Sequence, residues 1–154
     1  MAAAVPAPDP ALWIVALIGM TQTARELLLG GANIEERGGQ ALHGADVSAK
    51  NNVQWTPLCF AALGGHGSMA LLLLQNGADS SYKHEASGST ALHHAAYQGH
   101  EVVRVLIENR ANVSAEDIAG LTLEGLVAVS DTGPHHQVVA LLKAAAVSRA
   151  KCVA

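Results

Sequence analysis

The sequence predicts an all-α solenoid, a row of similar helix-turn-helix units that hold one another up. Three observations predict it. Residues 55–79 and 89–112 carry one pattern twice: Thr56 and Thr90, Leu58 and Leu92, Ala61-Ala62 and Ala95-Ala96, and Gly65-His66 and Gly99-His100 recur at a spacing of 34. Gly77-Ala78-Asp79 then matches Arg110-Ala111-Asn112 at 33, and Gly44 precedes Gly77 by another 33. Self-similarity at such a period is the mark of a repeat architecture. Finally, half of the 154 residues are apolar but only 3% are aromatic, so the core is built from Ala, Leu and Val, which favours closely packed helices.

Each element has its own physical reason. Thr56 suits a helix N-cap and Pro57 tolerates the first helical position, so a first helix starts there. The alanine pair keeps one face of that helix thin, and a neighbouring helix can approach closely. Gly64-Gly65 and Gly99 stop the first helices, because glycine readily takes the left-handed conformation at a C-terminus. The runs "MALLLL" and "VVRVLI" supply the apolar stripe of the second helices, and Gly77 ends the earlier one in the same way. A single unit exposes both of its apolar faces, so stability comes from stacking.

On these residues the chain resembles the ankyrin repeat family, whose unit carries T-P-L-H-x-A-A, then G-H, an apolar helix and G-A-D. The resemblance covers about residues 11–143 and is nearly complete in 51–83. It implies a β-turn finger followed by two antiparallel helices per unit, and an ankyrin-type solenoid of about four units with one truncated. His93 falls in the T-x-L-H slot, where it is expected to act as a turn-and-cap histidine. His66 and His100 take the G-H position, where the family uses histidine structurally.

The domain expectation is a disordered tail over 1–10 and a repeat domain over 11–147, with units at about 11–36, 37–50, 51–83, 84–116 and 117–147, followed by a tail over 148–154. In the first unit Trp13, Ile14, Val15, Leu17 and Ile18 make a very apolar first helix, where a terminal unit ordinarily turns a polar face to water. The second unit is the odd one. "GGQALH" matches the later "GSTALH", but "GADV" follows at once, so about 20 residues of helix are missing. Stacking of the neighbours across that gap and loose docking of 1–43 are both compatible with the sequence. In the last unit Asp117, Gly120 and Thr122 keep the start, while Leu123, Glu124 and Gly125 leave a degenerate first helix; a closing helix follows Asp131, Thr132 and Pro134.

The sequence carries no motif of catalytic chemistry. There is no Gly-rich phosphate loop, no serine elbow and no H-E-x-x-H. His135 and His136 are adjacent and point different ways, a poor geometry for one metal. Cys59 at a helix start invites the idea of a reactive thiol, but Leu58 and Phe60 beside it favour an inert packed one. No cofactor or metal is expected. The net charge of −4 and scattered Lys and Arg offer no footprint for nucleic acid. The apolar run at 11–20 is too short to span a bilayer, and the basic start of a secretory signal is absent. Two cysteines fit a reducing compartment, cytoplasmic or nuclear.

The resemblance therefore implies a non-catalytic protein–protein interaction module, an adaptor or scaffold acting as a monomer or within a larger assembly. Family contact positions, carried over residue by residue, are Asn52, Val53, Trp55 and Leu63 in one unit; Ala86, Ser87, Ser89, Tyr97 and Gln98 in the next; and Ile118, Ala119 and Leu121 in the last. Trp55 is the foremost candidate, either as an exposed hot spot or as a ring packed flat on the adjacent finger. An apolar strip through Ile118 and Leu121 suits a partner with an exposed hydrophobic segment. Two alternatives stand beside this reading: a fragment or structural part of a larger repeat protein, and a metal- or thiol-dependent enzyme.

Overall fold

The computed structural model describes residues 14, 16–28, 46–98, 100–123, 125 and 135–151, with the side chains at 26–28, 97, 98, 100, 135–137, 146 and 148–151 left out. Six helices are named in chain order: α1 (Thr21–Leu28), α2 (Pro57–Leu63), α3 (Gly67–Gln75), α4 (Ala91–Gln98), α5 (His100–Glu108) and α6 (His135–Lys151). Ile14 and residues 16–18 are also helical and lead into the turn before α1. The only strand-like pairing among the described residues is an isolated antiparallel bridge between Glu116 and Thr122. The fold is all-α.

The helices form two rows. First helices α2 and α4 pack against each other, and second helices α1, α3, α5 and α6 follow one another along the other side. Within a unit, α2 lies on α3 and α4 lies on α5. Small residues make this possible: Ala61, Ala62, Ala95 and Ala96 are buried where first helices meet. Larger side chains fill the space between the rows, among them Leu58, Met69, Leu73, Leu92, Val102, Val103 and Leu106. Leu123, Val138 and Leu142 close the far end. Helix α6 runs on to Lys151, into the segment expected as a C-terminal tail. Asp131, Thr132 and Pro134, expected to start it, lie outside the described residues.

Local chemistry repeats with the fold. Thr56 sits in extended backbone, and its hydroxyl accepts the Cys59 N–H at 3.4 Å, while Pro57 opens α2. Thr122 does the same for the Gly125 N–H at 3.3 Å. In the middle unit the cap is a pair: both the N–H and the hydroxyl of Thr90 donate to Nδ1 of buried His93, at 3.1 and 2.9 Å. At the end of the second helices, Asn76 and Asn109 each donate a side-chain N–H to the carbonyl four residues back, at 2.8 Å. Gly77 and Arg110 then take positive φ, 91° and 65°, and turn the chain out. Asp46, Asp79 and Asn112 each accept the backbone N–H two residues on, at 2.8, 2.8 and 3.0 Å. These three are 33 residues apart, so the unit boundary is an Asx-turn written three times.

The first unit stacks directly on the next helical unit. Helix α1 packs on α3, and the ring Nε2 of His66 donates to the Leu17 carbonyl at 2.8 Å. Gly64 shows how close the approach is, since a Cβ there would lie 2.9 Å from the same carbonyl oxygen. Of the two outcomes left open by the truncated stretch, the helices on either side of it meet.

Candidate recognition surface

Three fingers project from the starts of the first helices, and their residues explain their shape. In the first, Asn51 folds back on its own loop. Its Oδ1 accepts the N–H of Val53 and of Trp55 at 3.1 and 2.8 Å, while its N–H donates to the Trp55 carbonyl at 3.0 Å. The third finger repeats this: Asp117 Oδ1 accepts the Leu121 N–H at 2.8 Å and the Asp117 N–H meets the Leu121 carbonyl at 3.1 Å. The middle finger starts in register at His84 but closes on Ser89, so it holds one residue more. That insertion sets the first-helix starts 34 apart, and one residue fewer between His100 and Arg110 than between His66 and Gly77 returns the unit ends to a period of 33. Each finger turns through one left-handed residue: Gln54, Gly88 and Gly120, at φ 62°, 66° and 71°.

The fingers are tied to one another mostly by side chains that reach main-chain carbonyls. His84 Nε2 lies 2.7 Å from the Val53 carbonyl, which can only accept, so that nitrogen donates, and Nδ1 lies within hydrogen-bond distance of the Ser87 hydroxyl at 3.0 Å. The Tyr82 hydroxyl donates to the Gln54 carbonyl at 2.6 Å, and the Lys83 ammonium to the Glu116 carbonyl at 3.1 Å. The Ile118 N–H donates to the Ser87 carbonyl at 3.0 Å. Lys50 sits 4.6 Å over the Tyr82 ring and 4.0 Å from the Glu85 carboxylate, both exposed. The result is a stiffened ribbon of loops rather than three independent tips.

Trp55 stands where the first two fingers meet the first helices. Its ring lies 4.6 Å from that of His94, 5.3 Å from Phe60 and 6.0 Å from His84. It is half-buried, so it is both packed against the array and open to solvent on one side. His94 is held neutral. Burial, then repulsion from His93 and His84, lowers its pKa to about 4, and its Nε2 is buried without a partner. His93 is also pushed down, by burial, against an opposing pull from the Leu121 carbonyl and the Asp117 carboxylate; no acceptor meets its Nε2 in hydrogen-bonding geometry. Cys59 takes the slot that His93 fills one unit later, and burial pushes its thiol pKa up although the Thr56 hydroxyl pulls the other way. A buried, protonated thiol is a weak nucleophile. Among the described residues no three His, Cys, Asp or Glu side chains are placed to hold a metal ion.

The predicted contact positions divide by what the loops do with them. Asn52, Ala86 and Ala119 are exposed, as are three apolar residues: Val53 at 60%, Ile118 at 67% and Leu121 at 38%. Ser87, Ser89 and Leu63 are half-buried, and the Ser87 hydroxyl is spent inside its own finger, where it meets His84 and the Ser89 N–H. Tyr97 and Gln98 lie in α4, but their side chains fall outside the description. Sequence reasoning missed Asn51, Tyr82 and His84, which build the fingers that present the rest. The signal was there for two of them, since Asn51, His84 and Asp117 stand 33 residues apart.

The comparisons with known proteins agree with this architecture. A family model described as ankyrin repeats (3 copies) matches residues 12–117. The E3 ubiquitin-protein ligase XBAT33 of Arabidopsis thaliana is 44% identical over 77 residues, which is 49% of this chain and 15% of that protein. The probable E3 ubiquitin-protein ligase XBOS33 of Oryza sativa subsp. japonica is 46% identical over 63 residues, 40% of this chain and 12% of that one. The chain thus spans less than a sixth of either relative. Among the described residues no helix is long and apolar enough to cross a membrane.

Proposed function

The chain belongs to the ankyrin repeat family, and from that premise we propose that it is a non-catalytic recognition module, an adaptor that holds a partner protein against its fingers and first helices. One observation carries the reading: Trp55 is half-buried and held by three neighbouring rings, on a set of fingers whose apolar residues Val53, Ile118 and Leu121 are exposed. A large ring already held in place loses little freedom on binding, which is what makes tryptophan effective at interface centres. The finger ribbon supports the same reading, because its loops are braced before any partner arrives. The two ligases resemble this chain over a small part of their length, so their activity does not pass to it; the recognition role of a repeat array is what the likeness supports. A free, buried Cys59 fits a reducing compartment, cytoplasmic or nuclear.

The test is affinity capture with the wild type and Trp55→Ala, after circular dichroism shows both equally folded. A partner retained by the first and lost by the second supports recognition at the fingers. Equal capture by both removes Trp55 from the interface and, with it, the central support for this site.

A further inference from the structure

The first unit repeats the unit at 51–83 at a spacing of 46. Gly19 and Gly65 both take positive φ, 78° and 73°, and Ala16 and Ala62, like Ala24 and Ala70, are buried. In that register Ile14, Leu17 and Ile18 are the counterparts of Phe60, Leu63 and Gly64, and one unit further on Ile14 and Leu17 correspond to His94 and Tyr97. They therefore belong to the first-helix row that faces the partner, rather than to an outer end of the stack. The direct contact between Leu17 and the turn at Gly64 and His66 makes that row continuous.

Their exposure reverses the usual pattern of a surface helix, which turns its apolar stripe inward. Ile14, Leu17 and Ile18 lie at i, i+3 and i+4 and are 55%, 44% and 58% exposed, while Ala16 on the opposite side is fully buried. No charged residue occurs from 14 to 24. The row continues through Leu63 and Phe60, both half-buried, to His94, which is neutral at physiological pH.

Resting on the recognition reading above, we propose that this surface extends onto Ile14, Leu17 and Ile18 and that its occupant is an amphipathic helix with an uncharged apolar face. The backbone argues for a helix over a strand. First helices satisfy their own N–H and C=O groups, and the finger carbonyls of Val53, Gln54, Ser87 and Glu116 are already taken. Along the first-helix row a strand would therefore bury main-chain groups with nothing to pair with, whereas a helix arrives with its own bonds made. Spacing agrees as well. Packed helices lie about 8–10 Å apart, and a helix crossing the row returns the same face every seven residues, about 10.5 Å. Side chains at i and i+7 would thus meet successive units.

The experiment is a selection of displayed random peptides about 16 residues long, enough for two heptads, against the wild-type protein. Selected peptides are then titrated against wild type, Leu17→Gln/Ile18→Gln and Trp55→Ala. The expected result is apolar residues at i, i+3, i+4 and i+7, and binding at least about tenfold weaker for both variants. The substituted leucine and isoleucine face solvent, so folding survives and circular dichroism checks it. Peptides with a period of two or rich in proline, or no enrichment at all, overturn the helix. Binding weakened by Trp55→Ala but not by the double variant overturns the extension and leaves the finger site standing. Binding untouched by either variant defeats both.

Discussion

His94→Phe should make the protein less sensitive to acid. Position 94 corresponds to Phe60 one unit earlier, so the ring suits the site, and it replaces an imidazole whose buried Nε2 has no partner. His94 in the folded protein has its pKa lowered to about 4, against 6.5 when unfolded, so the folded state binds fewer protons. A depressed histidine pKa leaves stability complete above about 6.5 and removes it as pH falls toward 4, with no further loss below. The gap corresponds to about 3 kcal/mol, a large part of the roughly 5–15 kcal/mol that separates folded from unfolded domains. The assay is urea unfolding followed by far-ultraviolet circular dichroism, for wild type and variant, in steps between neutral pH and about pH 4. His93, His84 and every carboxylate are common to both, so the difference between the two curves isolates His94. Wild type should lose about 3 kcal/mol more than the variant, and most of the divergence should fall below pH 6.5. Parallel curves would refute the reasoning, because they would mean that His94 reaches water when charged and is not confined behind Trp55.

Three further outcomes follow from the geometry. Arg110→Gly should stabilise the protein by about 0.5 kcal/mol in the same unfolding assay: it removes the cost of a left-handed arginine, φ 65°, where Gly77 serves the preceding unit, less the extra freedom glycine gains when unfolded. Gly19→Ala should destabilise by about 1–3 kcal/mol, since φ is 78° and the new Cβ would press on the His66 ring that grips Leu17. Cys59 should resist a thiol reagent in the native protein at pH 8 and react at once in denaturant; rapid native reaction would show that the α2 start opens.

Much of this fold was legible because its determinants are local. The Thr56 cap, the alanine pairs and the glycine turns act within a few residues of themselves, so a period near 33 exposes them all. The docking of the first unit was not legible. It depends on His66 reaching the Leu17 carbonyl 49 residues away, and no local propensity reports on such a contact. The finger ribbon was hidden for the same reason, being tied by His84 to Val53 and Tyr82 to Gln54 across 31 and 28 residues. Trp55 shows a subtler limit. Its type marks it as a contact residue or a packing residue, and its three neighbouring rings show the packing while its half-buried ring leaves one side open. Ile14, Leu17 and Ile18 are anomalously apolar in the sequence, but which face they occupy follows only from the register that Gly19 and Gly65 set.

The direct seat of the first unit on the unit at 51–83 carries one more consequence. Between Leu28 and Pro57 there are 28 intervening residues, against 15 between Gln75 and Ala91, counting from the helix bounds. Closure of a chain connection in general costs free energy only as the logarithm of its length, so a near-doubling adds about 0.6 kcal/mol. The joint, by contrast, is built from the same buried alanines and turn glycine as any other. A joint this indifferent to the length of chain between its helices leaves room for added sequence at that boundary without retuning the stack.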